Sequence, residues 1–247
     1  YKEWDSRFSG VHSVGSVMSA SQMSLAKDEH ILKLFSDLKD ETEWDHPKRK
    51  WASPVGGSIQ ASREFTRFAE EYPDRASRII KQFEPKEQER PAGYCIEGLA
   101  STEYPNEKII QLVKYFNENG FSTGEFRRSA ARGLQKIAEH DASLPREIIE
   151  LLTCWYFEES HPELSDCCDD NETPKDSILW GFGGSYSLPG GRDIFFEAIA
   201  AGTLLESPPD YQEFNSFIAK IINFEKHPKI WAIGFRLMGF LFNWDKQ

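Results

Sequence analysis

Apolar residues recur along most of this chain at spacings of three and four. Ile59, Phe65, Phe68 and Ala69 mark one stripe, and Ala76, Ile79, Ile80 and Phe83 the next. An i, i+3, i+4, i+7 stripe predicts an amphipathic helix with one face turned to a core. Two further stripes follow, Ala92, Cys95, Ile96, Leu99 and Ala100, then Ile109, Leu112, Val113 and Phe116. The next two are Phe126, Ala130, Leu134, Ile137 and Ala138, then Ile148, Leu151, Leu152 and Trp155. Upstream, Ser24 is placed to cap one helix that carries Leu25, Ile31, Leu32, Leu34, Phe35 and Leu38 to about Asp40. Downstream, the period resumes with Ile194, Ala198, Ala201 and Leu205, breaks at Pro208-Pro209, and returns with Phe214, Phe217, Ile218 and Ile221. Pro228 opens a last helix with Ile230, Ile233, Leu237 and Leu241. The pattern predicts an all-α fold.

The stripes come in pairs, and the pairs repeat. Glu71-Tyr72-Pro73-Asp74 returns as Glu103-Tyr104-Pro105-Asn106, and Leu144-Pro145-Arg146-Glu147 echoes both. Each proline follows one stripe and opens the next, which suits a residue with no amide to lose at a helix start. The second helices align position for position: Ala76, Ile79, Ile80 and Phe83 with Ile109, Leu112, Val113 and Phe116, and with Ile148, Leu151, Leu152 and Trp155. A pair apolar on two sides cannot bury both alone, so the repeat predicts an α-solenoid, stable only as a stack. The expected units are an N-terminal segment, 1–57, irregular but for one helix and a Trp/Lys-rich linker; three helix pairs, 58–157; an acidic then glycine-rich insertion, 158–191; and a further pair with a final helix, 192–247.

The segments Ser58–Phe83, Pro91–Phe116 and Gly124–Trp155 resemble HEAT-like or armadillo-like repeats. Tetratricopeptide units, with their strict length of about 34 residues and fixed residue pattern, fit less well. The stretch from Lys50-Trp51 through Gly56-Gly57-Ser58 to Ser62-Arg63-Glu64-Phe65 also resembles helical-repeat regions of large bacterial proteins that carry an upstream nucleotide-binding domain. That resemblance implies a sensing or partner-binding arm that does not itself hydrolyse nucleotide. The chain begins at Tyr1 and reads as part of a longer protein.

Charge narrows the partners. A net charge of −11 over 247 residues repels phosphate backbones unless basic residues are segregated, so nucleic acid is disfavoured. No apolar run reaches the roughly 18 residues of a membrane span. Of four cysteines, Cys95 and Cys154 fall on apolar stripes and Cys167-Cys168 are adjacent, which is no disulfide framework; a reducing, cytoplasmic home is expected.

Candidate chemistry is sparse. Gly181-Phe-Gly-Gly184 and Gly190-Gly191-Arg192 lack the Gly-Lys-Ser/Thr end of a phosphate loop and the Gly-x-Gly-x-x-Gly of a dinucleotide loop. His161, Glu163, Asp166, Cys167, Cys168, Asp169 and Asp170 are potential ligands without zinc or EF-hand spacing. Six histidines are scattered with no Ser or Cys partner at a recognisable catalytic spacing, so no nucleophilic site is expected. Trp4, Trp44, Trp51 and Trp180 lie outside the stripes, as loop anchors or partner contacts.

One surface remains. Arg127, Arg128 and Arg132 lie on the polar side of a first helix, and Arg63 and Arg67 on the corresponding helix two units earlier. Equivalent helices of a solenoid line one face, so these five form the candidate binding strip, suited to an acidic protein segment or a phosphate. The expected function is noncatalytic recognition of a partner protein or an adjoining domain, with no cofactor, metal or small-molecule substrate. Two alternatives are a sensor arm of an ATP-dependent regulator and a HEAT-like DNA glycosylase-type enzyme reading a damaged base.

Overall fold

The computed structural model describes residues 15–43, 55–141, 143–159, 191–205, 208–225 and 230–235. These residues are all-helical. In chain order they form α1 (Ala20–Leu25), α2 (Asp28–Asp37), a 3-10 turn (Asp40–Thr42), α3 (Ser58–Glu71), α4 (Pro73–Ile80), α5 (Glu89–Leu99), α6 (Asn106–Glu118), α7 (Gly124–Asp141), α8 (Arg146–Glu158), α9 (Arg192–Leu204) and α10 (Tyr211–Ile221). Residues 230–235 are helical as well. Among the described residues β pairing is limited to one bridge between Gly15 and Val55. No helix there is long and apolar enough to cross a membrane.

The helices pack in a regular succession. α3 lies on α5, α5 on α7 and α7 on α9. The intervening helices sit to the side of this row: α4 on α3 and α5, α6 on α5 and α7, and α8 and α10 on α9. Most of the stripe positions read from sequence are buried, although Ile59, Leu151 and Ile218 are only partly so and Leu205, at the end of α9, is exposed. Ala76, Ile79 and Ile80, then Ile109, Val113 and Phe116, then Ile148 and Leu152 have no exposed surface. The aromatic closing each aligned stripe meets a ring of the first-helix row, tilted for Phe83 and edge-on for Phe116 and Trp155. Phe83 lies 5.9 Å from Phe65, Phe116 5.8 Å from Phe126, and Trp155 6.1 Å from Phe195, centroid to centroid. Such pairs add about 0.5–1.5 kcal/mol beyond the area they bury.

The first helices approach closely because α5 lacks a side chain where it crosses α3. A β-carbon at Gly98 would stand 2.7 Å from the carbonyl oxygen of Thr66. The neighbouring Thr66 hydroxyl donates to the Tyr94 carbonyl at 3.1 Å, so the two backbones are tied as well as close.

The N-terminal segment departs from expectation. The single helix predicted from Ser24 is two helices, α1 and α2, because the cap is Ser19. Its hydroxyl accepts the Gln22 N–H at 3.3 Å and the Gln22 side chain accepts the Ser19 N–H at 2.9 Å, a capping box. Ser24 sits inside the last turn of α1, donating to the Ser21 carbonyl. Extended backbone at Ala26 then ends α1, and Leu25, read as part of the apolar stripe, is 90% exposed. The pair joins the succession, α1 on α3 and α2 on α4. Cys154 differs too: it is exposed on α8 rather than buried in its stripe, whereas Cys95 is buried and its thiol pKa is pushed far up by that burial. Phe83 is buried in the turn after α4, not within the helix. The glycine-rich and acidic stretch, the adjacent cysteines and the four off-stripe tryptophans lie outside the described residues.

Candidate functional site

The row of first helices has two sides. One is covered by the intervening helices. On the other, α3 offers Arg63 and Arg67, α5 offers Tyr94 and Glu97, and α7 offers Arg132 and Lys136, all at least partly exposed. Tyr94 and Glu97 are the two positions of α5 that are not buried. They follow from the sequence: α5 reads as a nearly continuous run of small and apolar residues, Pro91-Ala-Gly-Tyr-Cys-Ile-Glu-Gly-Leu99, interrupted at these two sites. The arginine pattern draws attention to the flanking helices, and the middle of the surface is missed because it carries one aromatic and one acid.

The five arginines fall into two groups separated by α5. Arg63 is exposed on α3 and Arg67 pairs with Glu64 at 2.8 Å. On α7, Arg128 pairs with Glu125 at 2.6 Å. Arg127 pairs with Glu158 at 2.7 Å, and its Cζ lies 5.8 Å from the Trp155 ring centroid. Its guanidinium is thus held between a carboxylate and an aromatic face. Arg132 is half-buried and, among the described residues, has no ion pair or hydrogen bond. One turn further, Lys136 is held across the helix boundary, 3.5 Å from the Glu97 carboxylate and donating to the Ser101 hydroxyl at 3.0 Å.

The start of α9 packs against Arg128 at the end of this face. Gly191 caps α9 in the left-handed region, φ 74°, and a β-carbon there would lie 2.2 Å from Arg128 Cδ. Only glycine fits both the backbone and the arginine stem above it. Glu159 lies in the field of Arg128, Arg127 and Arg192, yet burial is the larger influence and raises its pKa above the ordinary carboxylate value. Arg192 itself is buried, 3.4 Å from buried Glu225, with the Tyr156 hydroxyl donating to the same carboxylate.

A separate open groove of about 560 Å³ lies at the second Glu-Tyr-Pro turn, walled by Tyr104, Glu103, Glu107 and His140 over a floor of Ala100 and Ile137. Lys108 stands over the Tyr104 ring, and the Tyr104 hydroxyl bonds Ser77 of the preceding unit. Among the described residues no three His, Cys, Asp or Glu side chains converge as a metal site. The sequence candidates for metal and glycine-loop chemistry, His161 to Asp170 and Gly181 to Gly190, lie outside them.

No protein-family model matches the chain, and no curated protein and no solved structure is detectably similar to it.

Proposed function

We propose that the chain is a noncatalytic recognition scaffold, a HEAT-like α-solenoid whose first helices offer one face to a partner protein or to an adjoining domain of the same polypeptide. The succession α3 on α5 on α7 on α9 supports the solenoid reading, because each helix pair is covered mainly by its neighbours in sequence. The observation that carries the recognition reading is Arg132. It is a half-buried arginine on the uncovered face, with no described ionic partner, one turn before Lys136, which reaches Glu97 across the α5–α7 boundary. Arg and Tyr are the residues from which interface hot spots are most often built, and an unengaged guanidinium is free to bind a carboxylate in the partner bidentately.

Nucleic acid fits less well. The net charge is −11, and Arg67, Arg127 and Arg128 already face carboxylates at 2.6–2.8 Å. The two described cysteines are unbridged, which supports a reducing, cytoplasmic home.

Site-directed photo-crosslinking in cells tests the face. A photoreactive residue at Arg63, Tyr94 or Arg132 is expected to trap one protein or one adjoining domain. The same residue at Gln111 or Tyr115, on the exposed side of α6, is expected to trap none. Crosslinks from α6 with none from the first-helix face would overturn the assignment. Salt-dependent retention of the chain on a polyanion column, lost on Arg132→Ala, would favour the nucleic-acid alternative instead.

A further inference from the structure

The buried amides at the start of a helix must find acceptors, since the first four have none within the helix. The N-cap residues of α3 and α5 are Gly57 and Gln88, and neither caps its helix with a side chain. The acceptors come from the 3-10 turn after α2 and the residue that follows it. The Thr42 hydroxyl accepts the Ser58 N–H at 3.0 Å, and the Glu43 carbonyl accepts that of Ile59 at 3.0 Å. One oxygen of the Asp40 carboxylate accepts the N–H groups of Glu89 and Arg90 at 2.8 and 2.9 Å. The motif then repeats one unit on. One oxygen of the fully buried Glu89 carboxylate accepts the N–H groups of Ser122 and Thr123, both at 2.7 Å, where the chain turns into α7.

Arg90 ties the steps together. Its guanidinium donates to the Asp40 carbonyl at 2.7 Å and to the Ser58 hydroxyl, and its Nε lies 3.6 Å from the Glu125 carboxylate on α7. The backbone at the edges of this chain of contacts is strained. Glu43 (φ 43°) and Lys86 (φ 69°) are the non-glycine residues with positive φ among the described residues. The Glu43 carbonyl and the Lys86 N–H, the latter donating to Glu89 at 2.8 Å, both belong to the network. Such conformations persist where surrounding contacts over-determine them.

We propose that this relay is a conformational lock: the 3-10 turn after α2, through Asp40, sets the start of α5, and α5, through Glu89, sets the start of α7. The N-terminal helix pair is therefore a handle on the relative placement of helices two units away, independent of which partner the outer face binds. Cutting the first link must loosen the second, although Asp40 touches neither Ser122 nor Thr123.

Amide hydrogen exchange on the full chain reads this directly. In Asp40→Ala, exchange at Glu89 and Arg90 is expected to rise roughly tenfold, and at Ser122 and Thr123 by a clear fraction of that, with the amides of α6 unchanged. Faster exchange confined to Glu89 and Arg90 would overturn the lock. If Asp40→Ala also strips protection from α6, the milder Asp40→Asn is read at the same four amides by the same criterion. Glu89→Gln serves as the reverse probe. It must speed exchange at Ser122 and Thr123 and, because coupling between the two links is reciprocal, at Glu89 and Arg90 too; unchanged exchange at the latter pair would break the proposal.

Discussion

The Tyr156 hydroxyl donates to a Glu225 carboxylate oxygen at 2.5 Å, joining α8 to the segment after α10 inside the protein. The Glu225 side chain has no exposed surface, and the Arg192 guanidinium, itself buried, stands 3.4 Å from its carboxylate. Burial, with the hydrogen bond to Glu225 behind it, raises the tyrosine pKa far above its ordinary value. Tyr156→Phe removes one donor to a buried charge and is expected to cost about 1–3 kcal/mol, measured by urea denaturation. Tyr156 should also be missing from a spectrophotometric titration of the folded chain near pH 10. The wild type and Tyr156→Phe should therefore titrate alike until unfolding; a group lost from the curve at ordinary pH would contradict the buried pairing.

Ile80 and Leu152 occupy equivalent places on their stripes and have no exposed surface. A carboxylate at either site has no partner, so Ile80→Asp and Leu152→Asp are expected to lose upwards of about 4 kcal/mol and to unfold the surrounding helices. An unchanged melting temperature in either variant would count against the aligned-stripe reading.

These positions were legible because burial repeats with the helix period, and α4, α6 and α8 each needed one apolar face. The caps were not. Ser24 and Ser19 are equally good cap residues by type, and the choice is made by Gln22, three residues after Ser19, with which it forms the capping box. The starts of α3 and α5 carry no local signal, since their amides are satisfied by Thr42, Glu43 and Asp40, residues 16 to 50 positions away. The arginine group was legible as residues and not as a surface. Sequence places Arg67 and Arg128 on equivalent helices but does not reveal that Glu64 and Glu125, three residues earlier, take them up.

Asp40 gives the chain a pH signature. Burial raises its pKa from 3.8 to about 6, against the opposing pull of the Arg90 and Glu89 amides and the Arg90 charge. A carboxyl whose folded pKa exceeds its unfolded one binds more protons in the folded state. Its contribution to stability is then fully present below about pH 3.8 and is lost as pH rises through about 6. Wild type minus Asp40→Asn should therefore decline in unfolding free energy between about pH 4 and pH 7. A difference that stays flat, or that grows over the window, would rule out this titration.

Gly98 is a packing hinge between α3 and α5. Because a β-carbon there would meet the Thr66 carbonyl at 2.7 Å, Gly98→Ala must push backbone against backbone. The helix preference of alanine favours the substitution by about 1 kcal/mol, and the clash opposes it by about 1–3 kcal/mol. Net destabilisation is expected, with the Thr66 to Tyr94 hydrogen bond the first to open. A Gly98→Ala variant with a raised melting temperature would mean that the helices separate freely.

Arg127 and Arg132 lie five residues apart on α7 and should part company when replaced by alanine. Arg127 has a side chain 13% exposed, pairs with Glu158 and rests over Trp155, so Arg127→Ala removes packing as well as charge and should cost on the order of 1–2 kcal/mol. Arg132 has no ion pair or hydrogen bond among the described residues, so Arg132→Ala should leave unfolding within about 0.5 kcal/mol of wild type. If the outer face is the recognition surface, the order reverses for binding: the partner trapped by crosslinking should lose affinity tenfold or more with Arg132→Ala. Parallel denaturation and binding titrations on the two variants separate the roles. A destabilised Arg132→Ala would make that residue structural and remove the main support for the face.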